Sequence, residues 1–224
     1  TDLVSMRAQQ KGLELLIDMG NVTAHRYRGD PLRLKQVLLN LLANAVKFTA
    51  KGEIVIRLRA SEEHYGIQKI RFEVKDTGIG ITDNQKESLF EAFSQADMST
   101  TRNYGGTGLG LTIAQGLVVM MGGEIICDSI PNEGSTFWFE IPLHIDASYS
   151  APEQTLHTKT LKVLVVDDNE TAREIFAEIL MRFGITCILC KDAKEALELL
   201  NNGLEADVAL IDWEMEGIDG VTLF

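Results

Sequence analysis

Three groups of side chains in the first two thirds of this sequence have types and spacings that could do chemistry. The first is polar and helical. Successive helix residues sit about 100° apart, so Asn40, Asn44 and Lys47 fall in one stripe, joined by Arg33 and Gln36. Leu34, Val37, Leu38, Leu41, Leu42, Ala45 and Phe48 take the other side. Asparagine is a poor helix former, yet two stand one turn apart in mid-helix. Amide oxygens can complete the shell of Mg²⁺, and a lysine one turn on could meet phosphate. A solvated polar face would give the same stripe, so alone it decides nothing. The second group is Asp76-Thr77-Gly78-Ile79-Gly80, directly after a strand-like run. A carboxylate fixed there can accept a hydrogen bond from an amino group on a heterocycle. Glycines at 78 and 80 let backbone approach a flat ring without Cβ obstruction. A tight turn is the plainer alternative. The third group is Gly105-Gly106-Thr107-Gly108-Leu109-Gly110-Leu111, opening a helix. Glycines before a helix N-terminus expose N–H groups to an anion. Polar loop precedes it, not the strand of a dinucleotide-binding turn, and no Gly-Lys-Ser/Thr follows.

A fourth group lies near the C-terminus. Val163-Leu164-Val165-Val166-Asp167-Asp168-Asn169 puts two carboxylates at the end of a buried strand, and Asp212 ends a third strand, Val208–Ile211. If the first and third strands are neighbours, three carboxylates converge, and such like charges repel unless a divalent cation joins them. Helix capping by Asp168 and Asn169 is the alternative for that pair, but it does not account for Asp212.

The elements needed to hold these groups can be read from pattern. Asp30 and Pro31 read as N-cap and first residue of a helix running to about Phe48. Strands are expected near 12–19, 54–60, 70–75, 124–129 and 136–142, and helices near 84–93 and 108–121. Helices mixed with mostly antiparallel strands give an α+β two-layer sandwich over residues 1–144. Residues 145–160 read as a linker. Residues 161–224 alternate strand and helix, the pattern of a doubly wound parallel α/β sheet that stops after three strands, so a truncated domain is expected.

Composition narrows the field. The chain has 224 residues, 45% hydrophobic and 24% charged, a globular balance. Its formal net charge is −12, and residues 161–224 hold 14 acidic against 5 basic side chains. Nucleic acid is therefore not an expected partner. No apolar run approaches the ~20 residues of a bilayer span, and the first residues lack a signal-peptide layout. Three cysteines, Cys127, Cys187 and Cys190, point to a reducing compartment. Cys187 and Cys190 are three apart on a strand, face opposite ways and have no second ligand pair.

Taken in order, Asn40…Asn44-Ala45-Val46-Lys47-Phe48-Thr49, Asp76-Thr77-Gly78-Ile79-Gly80, Phe90-Glu91-Ala92-Phe93 and Gly106-Thr107-Gly108-Leu109-Gly110-Leu111 resemble the N, G1, F and G2 boxes of sensor histidine kinases. The resemblance implies the Bergerat ATP-binding fold shared with gyrase, Hsp90 and MutL, with ATP and Mg²⁺ as cofactors. By it, Asn44 binds Mg²⁺ with Asn40 beside it, and Lys47 lies near the phosphates. Asp76 recognises the adenine amino group, with Thr136 helping through water. Gly78, Gly80, Gly106, Gly108 and Gly110, with Thr107 and Leu109, shape the pocket and a lid over about 94–107, and Arg102 is a candidate γ-phosphate contact. Residues 161–224 resemble the first half of a response-regulator receiver domain of flavodoxin-like fold. Asp167 and Asp168 match its acidic, metal-binding pair, and Asp212 its phosphoacceptor. Met215, Asp219 and Gly220 match the motif that follows, with Glu216 in place of a proline.

Together the two resemblances imply a hybrid sensor histidine kinase, a cytoplasmic portion of a protein that could be membrane-anchored and homodimeric. Its partners would be the dimerisation and histidine-phosphotransfer helices of the same kinase, and a response regulator or histidine phosphotransfer protein downstream. None of His25, His64, His144 and His157 has the neighbours of an acceptor histidine, so that residue is expected upstream of Thr1. An ATP-driven conformational machine of the gyrase or Hsp90 type, or a degenerate kinase that only docks partners, are the rivals. The receiver-like half argues against the first, the complete boxes against the second.

Overall fold

The computed structural model describes residues 2–22, 26–91, 109–149 and 161–215. They fall into two units, Thr1–Ala151 and Pro152–Phe224.

The first unit is organised around its longest helix. Helix α2 (Pro31–Phe48) starts where Asp30 accepts the N–H groups of Leu32 and Arg33 and Pro31 needs no donor partner. It stops where Thr49 turns extended. Val37, Leu41, Leu42, Ala45 and Val46 are buried. Helix α1 (Asp2–Gln10) adds Val4 and Ala8, and helix α4 (Gly110–Met120) adds Ala114 and Val118.

These helices cover one face of a mixed sheet built from β1 (Leu13–Asp18), β2 (Tyr27–Arg28), β3 (Gly52–Ala60), β4 (Ile67–Asp76), β5 (Ile125–Ile130) and β6 (Gly134–Ile145). The order is β1-β3-β4-β6-β2, with β5 also on β6. Only β1 and β3 run parallel; the other pairs are antiparallel. In β4 the residues Gln68, Ile70, Phe72, Val74 and Asp76 are buried and their neighbours are not, the period of two that a one-sided sheet requires. Phe72 stacks on Phe139 at 5.1 Å between ring centroids. On the opposite face Arg71 lies 3.7 Å over the Trp138 ring, and Arg57 pairs with Glu73 at 3.4 Å. The expected α+β sandwich is the observed fold.

Three expectations about extent change. The helix expected near 84–93 is a short α3 (Asp83–Glu87), after which Leu89 and Phe90 turn in to pack on the core. Strand β2 is only two residues long and was not anticipated. The expected linker starts too early. Ile145 still donates to the Gly66 carbonyl, and Asp146 donates to the Arg26 carbonyl and pairs with Arg28 at 3.0 Å. The chain through Tyr149 therefore belongs to the first unit.

The second unit is a three-stranded parallel sheet of order β8-β7-β9, from β7 (Lys162–Val166), β8 (Thr186–Cys190) and β9 (Val208–Ile211). Helix α5 (Glu170–Arg182) follows β7 and helix α6 (Ala193–Asn201) follows β8. Leu164 and Val166 pack with Ala193 and Ala196 of α6, while Val163 and Val165 point the other way, so both faces of β7 are buried. β9 is different: Val208 and Leu210 are 44% and 36% exposed. Cys190 is fully buried and Cys187 partly so, as opposite-facing strand residues should be.

Candidate active site

Asp76 is the last residue of β4 and only 5% exposed. One carboxylate oxygen accepts the Gly78 N–H at 2.8 Å. Burial raises its pKa, and hydrogen bonds from the backbone of Gly78 and Ser135 offset part of that. The turn that follows tolerates little else. A Cβ at Gly78 would lie 2.6 Å from the Phe48 carbonyl oxygen, and Gly80 has φ +65° with the Ile130 carbonyl at its back. Ile79 donates to the Phe48 carbonyl at 3.3 Å, and its own carbonyl accepts from Asn132 at 2.7 Å. The glycine turn is thus seated between the end of α2 and the β5–β6 hairpin.

The stripe on α2 meets α4. Asn40 donates from its side-chain amide to the Gly110 carbonyl at 3.1 Å, which fixes the first turn of α4 beside mid-α2. Asn44 and Lys47 follow on the same side, both half-buried. Lys47 Nζ lies 4.7 Å from the centroid of the Phe48 ring, and burial lowers its pKa. Gln36 is exposed. Phe90 reaches α4 through its carbonyl, which accepts from Thr112 at 3.1 Å. Of the glycine-rich motif, Leu109 and Gly110 are described and lead into α4; Arg102, Gly106, Thr107 and Gly108 lie outside the described residues.

Thr136 is not where its expected role needs it. It pairs with Lys75 and Asp128 across the sheet, on the face of Trp138, whereas Asp76 pairs with Ser135. Side chains alternate along a strand, so Ser135, with Phe137 and Phe139 behind it, shares the face of Asp76. The Ser135 hydroxyl is 3.0 Å from that of Ser129, and Ser129 accepts the Ile81 N–H at 2.8 Å and donates to the Gly134 carbonyl. These two serines link the carboxylate strand to the glycine turn. Continuing the alternation of Phe137 and Phe139 back by one step would have selected Ser135. Cys127 is a second residue that spacing alone did not single out. It pairs with Phe137, and burial pushes its thiol up to about 11, with Lys86 opposing and Asp128 and Asp76 adding to the shift.

In the second unit the strand ends bring Asp167, Asp168 and Asp212 together, with one oxygen of each within 4.8 Å of the others. The Asp212 N–H donates to the Val166 carbonyl at 2.8 Å, which ties the two strand ends. Asn169 caps α5 by accepting from Ala172 at 3.0 Å, so capping falls to Asn169. Asp167 accepts the Asn169 N–H at 2.8 Å, and Arg173 donates to the Asp167 backbone carbonyl at 2.7 Å. Burial raises the Asp167 pKa, and Asp212 and Asp168 add to it. Three carboxylate oxygens at this spacing are the hard donor set that Mg²⁺ takes.

Residues 29–145 match the model of the histidine kinase-, DNA gyrase B- and HSP90-like ATPases. The chain belongs to this family. Residues 163–224 match the response regulator receiver domain, so an ATPase unit of this family is followed by a receiver sequence. The sensor histidine kinase AruS of Pseudomonas aeruginosa is 38% identical over 221 residues, covering 99% of this chain and 22% of AruS. GacS of Pseudomonas protegens is 41% identical over 204 residues, 90% of this chain and 22% of GacS. BarA of Escherichia coli is 45% identical over 144 residues, 64% of this chain and 16% of BarA. The chain therefore spans a fifth or so of these relatives. The crystal structure of full-length ShkA in complex with AMPPNP matches with a TM-score of 0.73 at 32% identity, over 94% of this chain and 41% of ShkA. The expected pairing of a Bergerat-type ATPase fold with a parallel receiver sheet is thereby confirmed. Among the described residues no helix is long and apolar enough to cross a membrane.

Proposed function

We propose that this family member is the ATP-binding and receiver-bearing portion of a hybrid sensor histidine kinase. It moves the γ-phosphoryl group of ATP to a histidine in another segment of the whole protein, and from there to Asp212. The observation that carries the reading is Asp76, a buried carboxylate held at a strand end by backbone donors. It stands where the Gly78–Gly80 turn packs on the end of α2, and its role here is to accept a hydrogen bond from the adenine amino group. Gly78 and Gly80 let the turn pack on the Phe48 and Ile130 carbonyls, which holds it beside Asp76.

Asn44 and Lys47, on the side of α2 that turns to α4, would hold the metal and the phosphates. Bound Mg²⁺ supplies charge neutralisation across the phosphate oxygens. The amide oxygen of Asn44 is a hard neutral ligand, and the Lys47 ammonium a mobile point charge. Asn40 donates its side-chain N–H to Gly110 and so positions α4, and its amide oxygen would stand beside Asn44 at the metal. Gly106, Thr107, Gly108 and Arg102 are assigned to the lid through the family resemblance. In the receiver, Asp167 and Asp168 would take a second Mg²⁺, and Asp212 would accept the phosphoryl group. The whole protein would act as a homodimer, its ATPase unit served by dimerisation helices of the same kinase and its receiver by a histidine phosphotransfer protein or response regulator. We place this portion in the cytoplasm.

Titration calorimetry with ADP and Mg²⁺ tests the reading. Asp76→Ala should show no binding at concentrations that saturate the native chain, and native affinity in that variant would overturn the pocket.

A further inference from the structure

Lys11 is bonded in a way that the composition of the site does not require. It lies just past α1, where its N–H donates to the Ala8 carbonyl at 3.0 Å and closes that helix. Its ammonium crosses to a different element. It donates to the carbonyls of Val46 at 2.5 Å, Thr49 at 3.0 Å and Lys47 at 3.2 Å, more than thirty residues away. Those oxygens belong to the last turn of α2, the negative end of its dipole, where a cation is stabilising. The same turn carries Lys47 and Phe48. The Phe48 carbonyl between the bonded ones is the seat of the glycine turn: it accepts Ile79 N–H, and Gly78 approaches it too closely for a side chain.

We propose that Lys11 is a positioning residue for the nucleotide site, an ammonium clamp that fixes the end of α2 and through it both Lys47 and the Asp76–Gly80 turn. The proposal rests on the nucleotide-binding reading above. The clamp touches no ligand itself. It joins α1, anchored in the same core through Val4 and Ala8, to the end of α2 and the glycine turn packed there. A displacement of α1 would therefore be transmitted to the last turn of α2 by one side chain.

The test uses the full chain and Lys11→Met. Amide hydrogen exchange should quicken at Thr49 and Ile79, which donate to Ala45 and Phe48, while Phe72 and Phe139 in the central strands keep their rates. The Kd for ADP with Mg²⁺, measured well below the melting midpoint, should rise about three- to tenfold, the range of a cation lost from a helix C-terminus. Lys11→Arg, whose guanidinium can donate to the same carbonyls, should recover most of both. The proposal is overturned if Lys11→Met leaves the Ile79 rate and the ADP affinity at native values. It is equally overturned if all amides quicken together, the mark of a general loss of stability, or if Lys11→Arg behaves as Lys11→Met. Native ADP affinity in Asp76→Ala would sink the nucleotide reading instead, and the exchange rates would still decide the clamp.

Discussion

Asp76 and Asp212 both stand at strand ends, and the structure gives them opposite surroundings. Asp76 is a single buried carboxylate met by backbone N–H groups. Asp212 is one of three carboxylates gathered within 4.8 Å. A lone buried carboxylate with donors already in place is a fixed acceptor, suited to one more neutral donor. A crowded set of carboxylates repels until a cation enters. Residue type alone does not separate these cases; the neighbours do. The first unit can enclose its carboxylate because β4 and β6 are interior strands under three helices. In the second unit Asp212 is half-buried beside the exposed Trp213, at the end of a strand that is the edge of the sheet among the described residues.

The largest effect expected from breaking this contrast is at Asp76. Asp76→Asn keeps an oxygen for Gly78 but removes the charge from the acceptor. ADP affinity should fall about ten- to hundredfold, the worth of a charge-assisted hydrogen bond. Stability should move the other way. Burial raises the folded-state pKa, so the stabilising proton is fully bound below the unfolded value and is lost as pH rises through the folded one. At pH 7 the ionised carboxylate therefore costs stability, and the amide does not. The variant should melt no lower than the native chain at pH 7, with its advantage shrinking as pH falls toward the unfolded carboxylate value. A variant that melts lower at pH 7 and gains nothing relative to native at any pH would show that Asp76 is structural, not a held acceptor.

At the other site the same substitution should act in one direction only. Asp212→Asn removes a ligand charge, and Mg²⁺ affinity should weaken about tenfold, since ligand charge count tunes such sites. Trp213, 70% exposed and next in sequence, supplies the fluorescence signal. Trp138, the other tryptophan, is held by Asp128 and Arg71 in the first unit and should not respond. Protons compete with the metal, and the raised pKa of Asp167 means that affinity should begin to fall above the usual carboxylate range as pH is lowered. An unchanged Mg²⁺ titration in Asp212→Asn would remove the three-carboxylate site.

How far the sequence reached these sites depends on the range of the contacts involved. Helix α2 was legible from Asp30, Pro31 and its stripe because caps and periodicity are local. Asp76 and its turn were legible because two glycines mark close approach at short range. The face of Ser135 was legible from its alternation with Phe137 and Phe139 and was missed, whereas its pairing with Asp76 needs the register of β4 on β6, a contact between segments some sixty residues apart. Lys11 left no local signal either: a lysine after a helix is ordinary, and its meaning comes from carbonyls in another element. The extent of β6 escaped because Ile145 and Asp146 are held by Gly66 and Arg26, distant in sequence. In the receiver, both strand-end carboxylates could be paired on paper because parallel alternation fixes neighbours more tightly.

The smallest effect sharpens the contrast most directly, because it reports the charge on Asp76 from outside. Cys127 lies on β5 across from Phe137, and its thiol is pushed up to about 11 from 9.0, mainly by burial, with Asp128 and Asp76 adding and Lys86 subtracting. Only the thiolate is alkylated, so at pH 8 Cys127 in the folded chain should react about a hundredfold more slowly than in urea. The proton held by the folded state stabilises it fully below pH 9, and that contribution is lost as pH rises toward about 11. Removing the like charge in Asp76→Asn should then speed iodoacetamide labelling of Cys127 by a factor of two or so, read by peptide mass spectrometry after short pulses. The control is Asp128→Asn, which removes the other contributing carboxylate and should act in the same direction. If Asp128→Asn speeds labelling and Asp76→Asn does not, Asp76 is neutral at that pH. It would then be a protonated acid rather than an anionic acceptor, and the contrast with Asp212 would rest on burial alone.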